Sequence, residues 1–136
     1  MSFPPQLTCL VRSVRPTVLL VEDDRATREM FDYALRIGGF DVSSVSDGLS
    51  ALRVIDEHMA PDVIVLDLDL PQVSGVDVQL ELAAHEETRR TPVIVVTGTT
   101  WHAPAGVFRT LRKPITSDVL VRIVRRALTN RQVVGS

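Results

Sequence analysis

The sequence predicts an α/β fold, a doubly wound five-stranded parallel sheet covered by helices on both faces. Five short apolar runs alternate with segments of helical periodicity, which is the pattern of repeated strand–helix crossovers. Most of the runs are continuously apolar rather than alternating, as strands buried on both faces are. The 136 residues, 45% of them hydrophobic, fit one domain with a sizeable core.

The elements follow in order. Thr17 to Val21 reads as a buried strand, and Arg25 to Ile37 as a helix with Ala26, Met30, Ala34 and Ile37 as its apolar stripe, stopped by Gly38-Gly39. Phe40 to Val45 reads as the second strand. Ser46-Asp47-Gly48 opens a helix whose stripe is Ala51, Leu52, Ile55 and Met59, ending before Pro61. Val63 to Leu66 is a β-branched and leucine run, and a helix marked by Val76, Leu80 and Ala83 follows the loop from Pro71 to Gly75. Val93 to Val96 is the fourth strand and Val107 to Leu111 a weaker fifth. Val119, Leu120, Ile123, Val124, Ala127 and Leu128 form the clearest amphipathic stripe in the chain. Right-handed crossovers complete the topology.

Composition narrows the function classes. A net charge of −2 shows no general bias toward nucleic acid, and direct nucleic-acid binding is not expected. Cys9 is the only cysteine, so neither an intramolecular disulfide nor a cysteine metal cluster is available, which suits a reducing compartment. No segment approaches the roughly 18 apolar residues of a membrane span, and the start of the chain lacks a leader pattern; the expectation is a cytoplasmic location without membrane contact. The division read from the sequence is an N-terminal extension over 1–16, one domain over 17–130 and a C-terminal tail over 131–136.

In doubly wound sheets ligands bind beyond the carboxyl ends of the strands, and there the chain places Glu22-Asp23-Asp24, Asp67, Thr97 and Lys113. Lys113 is the only lysine among fifteen basic residues. Its compact ammonium is not interchangeable with a guanidinium beside a small anion, although arginine-biased coding explains a lone lysine equally well. Three carboxylates within about 4 Å would repel by several kcal/mol, so the cluster needs a cation or a protonated member. Mg²⁺ answers that need with oxygen ligands, whereas Ca²⁺ lacks its twelve-residue loop here. Asp67, at the tip of the most buried strand, is then the natural nucleophile for a phosphoryl group, with Thr97 and Lys113 as donors to two phosphoryl oxygens and Mg²⁺ at the third.

These residues resemble the response-regulator receiver domains of two-component signalling, over about residues 17 to 130. The resemblance rests on Val18 to Asp24, on Val63-Ile-Val-Leu-Asp67-Leu-Asp69-Leu-Pro71 with Ser74-Gly75, on Ser46-Asp47-Gly48, on Pro92 to Gly98, and on Lys113-Pro114. It implies a flavodoxin-like, CheY-like fold and phosphoryl uptake at Asp67 from a sensor histidine kinase or histidine phosphotransfer protein. It also implies metal ligation by Asp23, Asp67 and the Asp69 carbonyl, with Glu22 acting through water. Output would pass to a downstream protein partner, with a homodimer left open. Such a chain is a signalling phosphoacceptor with self-catalysed transfer and slow autodephosphorylation, not an enzyme in the usual sense.

Two departures stand out. The distance from Thr97 to Lys113 is shorter than usual by roughly six residues, about one and a half helical turns. Gly98 to Gly106 is too short and too broken for a stable helix, so the family's fourth helix is expected as a loop or single turn. The aromatic residue usual three positions before the lysine is matched by Thr110, so any switching is expected in the loop from Gly98 to Pro104 instead. Asp69, two positions after Asp67, either faces the phosphoryl group or is a solvated loop acid. His58, His85 and His102 share no spacing and read as surface residues, Trp101 as a loop residue packed on apolar surface, and Arg122, Arg125, Arg126 and Arg131 as cations suiting a helix C-terminus. Two other functions compete. One is a receiver-like interaction module independent of phosphorylation. The other, remote, is a haloacid-dehalogenase-type phosphatase, whose motif stands on the first strand and is followed by threonine or valine rather than Leu70-Pro71.

Overall fold

In the computed structural model of the chain, the residues described are 15–57, 60–70, 74–98 and 106–135. Strand β1 (Thr17–Val21) leads to helix α1 (Arg25–Ile37), β2 (Asp41–Val45), α2 (Gly48–Glu57), β3 (Val63–Asp67), α3 (Gly75–Ala84), β4 (Val93–Thr97), β5 (Arg109–Arg112) and α4 (Ser117–Gly135). All four pairings are parallel and the sheet order is β2-β1-β3-β4-β5, the flavodoxin-like order expected. The three inner strands are buried almost throughout, while the edge strands β2 and β5 are half exposed.

Alternate residues of each inner strand feed opposite layers of core. Val18, Leu20, Val63, Val65, Ile94 and Val96 pack on α1 and α4 through Phe31, Leu35, Leu120, Val124 and Ala127. Leu19, Val21, Ile64, Leu66, Val93 and Val95 pack on α2 and α3 through Ala51, Ile55, Val78 and Leu82. The α4 stripe is as expected: Leu120, Ile123, Val124 and Ala127 are buried, flanked by partly buried Val119 and Leu128. Backbone helix continues to Gly135, through residues expected as a tail.

Helix phase differs from expectation in two places. In α1 the buried residues are Phe31 and Leu35, whereas Met30 and Ile37 are exposed. The larger pair wins the core, and Asp24, which caps the helix by accepting from Thr27, fixes the rotation at which it starts. In α3 the buried face is Gly75, Val78, Gln79 and Leu82, and the expected Val76, Leu80 and Ala83 lie outward. Gly75 sets that phase. A Cβ there would lie 2.4 Å from Leu68 Cα and 2.5 Å from the Asp67 carbonyl oxygen, so the first turn of α3 lies against the backbone leaving β3. At the end of α1 the left-handed residue is Gly39 (φ 104°).

β2 starts one residue later than expected and β5 two residues later, with Phe40, Val107 and Phe108 packed beside the strands rather than in them. Of the segment expected in place of a family helix, 98–106, only Gly98 and Gly106 are described, and neither is helical. Met59, His58, Trp101, His102, Pro104, the loop residues 71–73 and residues 1–14 lie outside the described residues.

The α3 phase makes a direct prediction. Leu82→Ala, at a site 1% exposed, should cost about 2–5 kcal/mol in urea unfolding, and Leu80→Ala, at a site 60% exposed, less than about 0.5 kcal/mol. Equal losses would contradict the observed face.

Candidate functional site

Parallel register carries the ends of β1, β3, β4 and β5 to one edge of the sheet. Glu22 follows β1 and donates its backbone N–H to Val45 at 3.1 Å, extending the ladder by one rung. Asp67 is the last residue of β3, opposite Val96, so Thr97 ends β4 one step beyond it. Lys113 follows β5 and donates its backbone N–H to the Thr97 carbonyl at 2.8 Å, and its peptide bond to Pro114 is cis.

Asp67 and Glu22 are each 2% exposed, and their carboxylates share one cation. Lys113 Nζ lies 3.1 Å from Asp67 Oδ2 and 3.1 Å from Glu22 Oε1. The other oxygens are held by backbone: the Asp69 N–H donates to Asp67 Oδ1 at 2.8 Å and the Asp24 N–H to Glu22 Oε2 at 3.1 Å. Asp23 is exposed, yet one oxygen from each of Glu22, Asp23 and Asp67 falls within 4.8 Å of the others. Three carboxylates against one ammonium leave the cluster short of positive charge.

The ionisation of these groups reflects that shortage. Burial pushes the Glu22 carboxyl up, the Asp67 carboxylate adds to the rise, and it reaches about 7. Burial alone would pull Lys113 down, but hydrogen bonding to Glu22 and the charge of Asp67 outweigh it and hold the ammonium above its usual range.

The acidic run divides its labour. Asp24 accepts from the Thr27 N–H at 2.9 Å and hydroxyl at 2.6 Å, bonds that hold its carboxyl below the usual range, so it is a cap rather than part of the cluster. Asp47 serves α2 likewise, accepting from the Ser50 N–H at 2.7 Å. Asp69 is exposed, and its Oδ2 accepts from the Gly98 N–H at a long 3.4 Å, so its carboxylate turns toward β4.

Arg28 is a contributor that sequence reasoning missed. Its guanidinium donates to the carbonyls of Glu22 at 2.9 Å and Asp23 at 3.2 Å, tying the acidic loop to α1. Its position one turn into the helix, on the side that returns over the loop, was the only signal.

The family model of the response regulator receiver domain matches residues 18–125. The chain belongs to that family. Receiver domains serve two-component signalling and are signalling proteins rather than classical enzymes. The chain is 34% identical over 118 residues to the regulatory protein AtoC of Escherichia coli, covering 82% of this chain and 25% of that protein. It is 38% identical over 81 residues to the polar-differentiation response regulator DivK of Brucella ovis, covering 60% of this chain and 65% of that one. The chain thus spans a quarter of one relative and somewhat less than two thirds of the other. Among solved structures, chemotaxis response regulator CheY4 of Vibrio cholerae aligns with TM-score 0.77 at 25% identity, over 85% of this chain and 100% of that one. The receiver domain of a sensor histidine kinase from Pseudomonas aeruginosa, which has a magnesium ion coordinated in its active-site cleft, aligns with TM-score 0.77 at 30% identity, over 85% and 99%. No described helix of this receiver domain is long and apolar enough to cross a membrane.

The raised Glu22 carboxyl makes stability depend on pH. With its ordinary value of 4.5 in the unfolded chain and about 7 in the fold, the folded state holds the extra proton between those values. Stability in EDTA should therefore fall as pH rises from about 4.5 to 7 and level off above, by on the order of 3 kcal/mol. Glu22→Gln should flatten most of that slope in denaturant titrations across the range, and an unchanged slope would contradict it.

Proposed function

We propose that residues 17–130 work as a phosphoacceptor receiver, taking a phosphoryl group on Asp67 from the phosphohistidine of a sensor histidine kinase or histidine phosphotransfer protein. The observation that carries this reading is the buried Asp67 carboxylate held 3.1 Å from Lys113 Nζ inside a cluster of acids. In the transfer an Asp67 carboxylate oxygen bonds to phosphorus, the phosphorus–nitrogen bond breaks, and the imidazole leaves with the electron pair and takes a proton. Lys113 then offers its ammonium to one phosphoryl oxygen and Thr97 its hydroxyl to another, a matter of position and charge rather than covalent help.

The donor set suits Mg²⁺. All its ligating atoms are oxygens, three carboxylates approach within 4.8 Å, and Asp67 adds to the rise that burial imposes on the Glu22 carboxyl. Asp23, Asp67 and the Asp69 carbonyl would hold the ion, with Glu22 acting through water. When bound, it supplies charge neutralisation to the carboxylates and to the incoming phosphoryl oxygens. Its charge would favour the ionised form of Glu22, and Arg28 keeps the carbonyls of Glu22 and Asp23 in place.

Output goes to a downstream protein partner through a conformational change, in the cytoplasm, with slow autodephosphorylation ending the signal. In place of the aromatic switch, phosphorylation reorders the loop from Gly98 to Pro104. Residues 1–16 and 131–136 flank the working domain.

Intact mass after incubation with a small-molecule phosphodonor should show one adduct that needs Mg²⁺ and disappears in Asp67→Ala. Lys113→Ala should slow its formation by about 100-fold or more, the scale of losing one charged donor to the transition state. No adduct, under conditions that label another receiver, would favour an interaction module independent of phosphorylation.

A further inference from the structure

The end of the sheet opposite the acidic cluster carries a concentration of the other charge. Arg109 opens β5, and Arg122, Arg125 and Arg126 project from α4; all four are exposed and line one cavity of about 490 Å³ together with Phe108 and Asn130. Arg125 fixes its place in the fold, because it donates to the Gly38 carbonyl at 3.1 Å, beside the start of β2. Lys113 and Asp67 lie at the far end of the strands.

Among the described residues no carboxylate lines this cavity. Among the described residues the guanidinium groups of Arg109, Arg122 and Arg126 make no ion pair and no hydrogen bond, while those of Arg15, Arg25 and Arg36 each have an acidic partner. Like charges gathered without counter-charge are unfavourable, so the arrangement calls for an anion. The helix dipole does not account for it. The helix runs to Gly135, which leaves Arg126 more than two turns from its end, and Arg109 is on a strand.

The lining also indicates what kind of anion. Guanidinium forks from two elements match phosphoryl oxygens in pairs, and the volume lies within the range of about 300–1,000 Å³ usual for small-molecule sites. Phe108 is partly buried and lines the cavity, with the Arg109 guanidinium 6.0 Å from its ring centroid, so an aromatic ring and a cation stand together where a nucleobase could be held. Among the described residues Phe108 is the only apolar side chain in the lining, which favours a small polar ligand over a peptide. We propose that this groove binds a nucleoside polyphosphate, with its phosphoryl groups on Arg122, Arg125 and Arg126 and its base against Phe108 and Arg109.

The test is titration of the full chain in EDTA with adenosine triphosphate, guanosine triphosphate and inorganic triphosphate, followed by calorimetry and by amide NMR shifts. EDTA keeps Mg²⁺ from linking the probe to the acidic cluster. At least one nucleotide should bind more tightly than inorganic triphosphate and shift resonances of residues 108–130. The double variant Arg122→Gln/Arg126→Gln should weaken it at least tenfold, Phe108→Leu should erase the advantage over inorganic triphosphate, and Arg89→Gln, at an exposed arginine away from the groove, should leave binding unchanged. The substituted arginines are exposed, and circular dichroism checks that the fold is kept. Absence of shifts at millimolar probe overturns the proposal. Equal binding of inorganic triphosphate overturns the nucleotide, and tighter binding of a polyglutamate peptide at the same residues replaces it with an acidic protein partner.

Discussion

The site depends on one ammonium standing between two buried carboxylates. Lys113 Nζ meets Glu22 and Asp67 at 3.1 Å each, and without it two acids that are 2% exposed would face one another across a few ångströms of protein. Burying a pair of like charges is tolerable only with a counter-charge or a proton, and this site uses both, since Glu22 holds its proton to about 7. The shared lysine also ties the last strand to the first and third. Its side chain reaches across the sheet while its backbone N–H extends the β4–β5 ladder at Thr97. Position and charge are therefore fixed by the same residue.

Parallel topology makes this convergence inexpensive in chain length. Each strand delivers its last residue to the same edge, and each crossover helix carries the chain back under cover of core. The helices then hold the loops. Asp24 and Asp47 cap α1 and α2, Arg28 reaches back to the carbonyls of the acidic loop, and Gly75 lets α3 begin against the backbone of Asp67 and Leu68. A larger residue at 75 would move the backbone that presents Asp67, so a residue without a side chain governs where the Asp67 carboxylate stands.

The sequence was most legible where burial is total. Val63 to Leu66 and Val93 to Val96 have no polar alternative, and their continuous apolarity identified inner parallel strands; the polar residues at their ends identified the edge of the sheet that carries the site. It misled where a helix has two apolar stripes to choose from. In α1, Met30 and Ile37 compete with Phe31 and Leu35, and in α3, Val76 and Leu80 compete with Val78 and Leu82. Periodicity cannot rank such stripes, because the winner depends on the rotation at which the helix leaves the strand. A cap sets that rotation in α1 and a glycine contact sets it in α3. Arg28 escaped notice for a related reason, since a helical arginine acts on a loop carbonyl only once the fold has brought the loop over it.

Charge segregation along the strands separates the two ends of the domain chemically. The net charge of −2 hides an excess of carboxylate at one end and four clustered arginines at the other. At a Debye length of about 8 Å in physiological salt, exposed charges at opposite ends of a five-residue strand, roughly 16 Å apart, scarcely feel each other. The packed core, rather than the field between exposed charges, is then what connects the two ends. The mechanical route is continuous: β4 and β5 are paired from Ile94–Arg109 to Thr97–Arg112, and Phe108, which lines the arginine groove, packs on the same core as α4. A shift in the register or tilt of β5 at Lys113 would touch both ends at once.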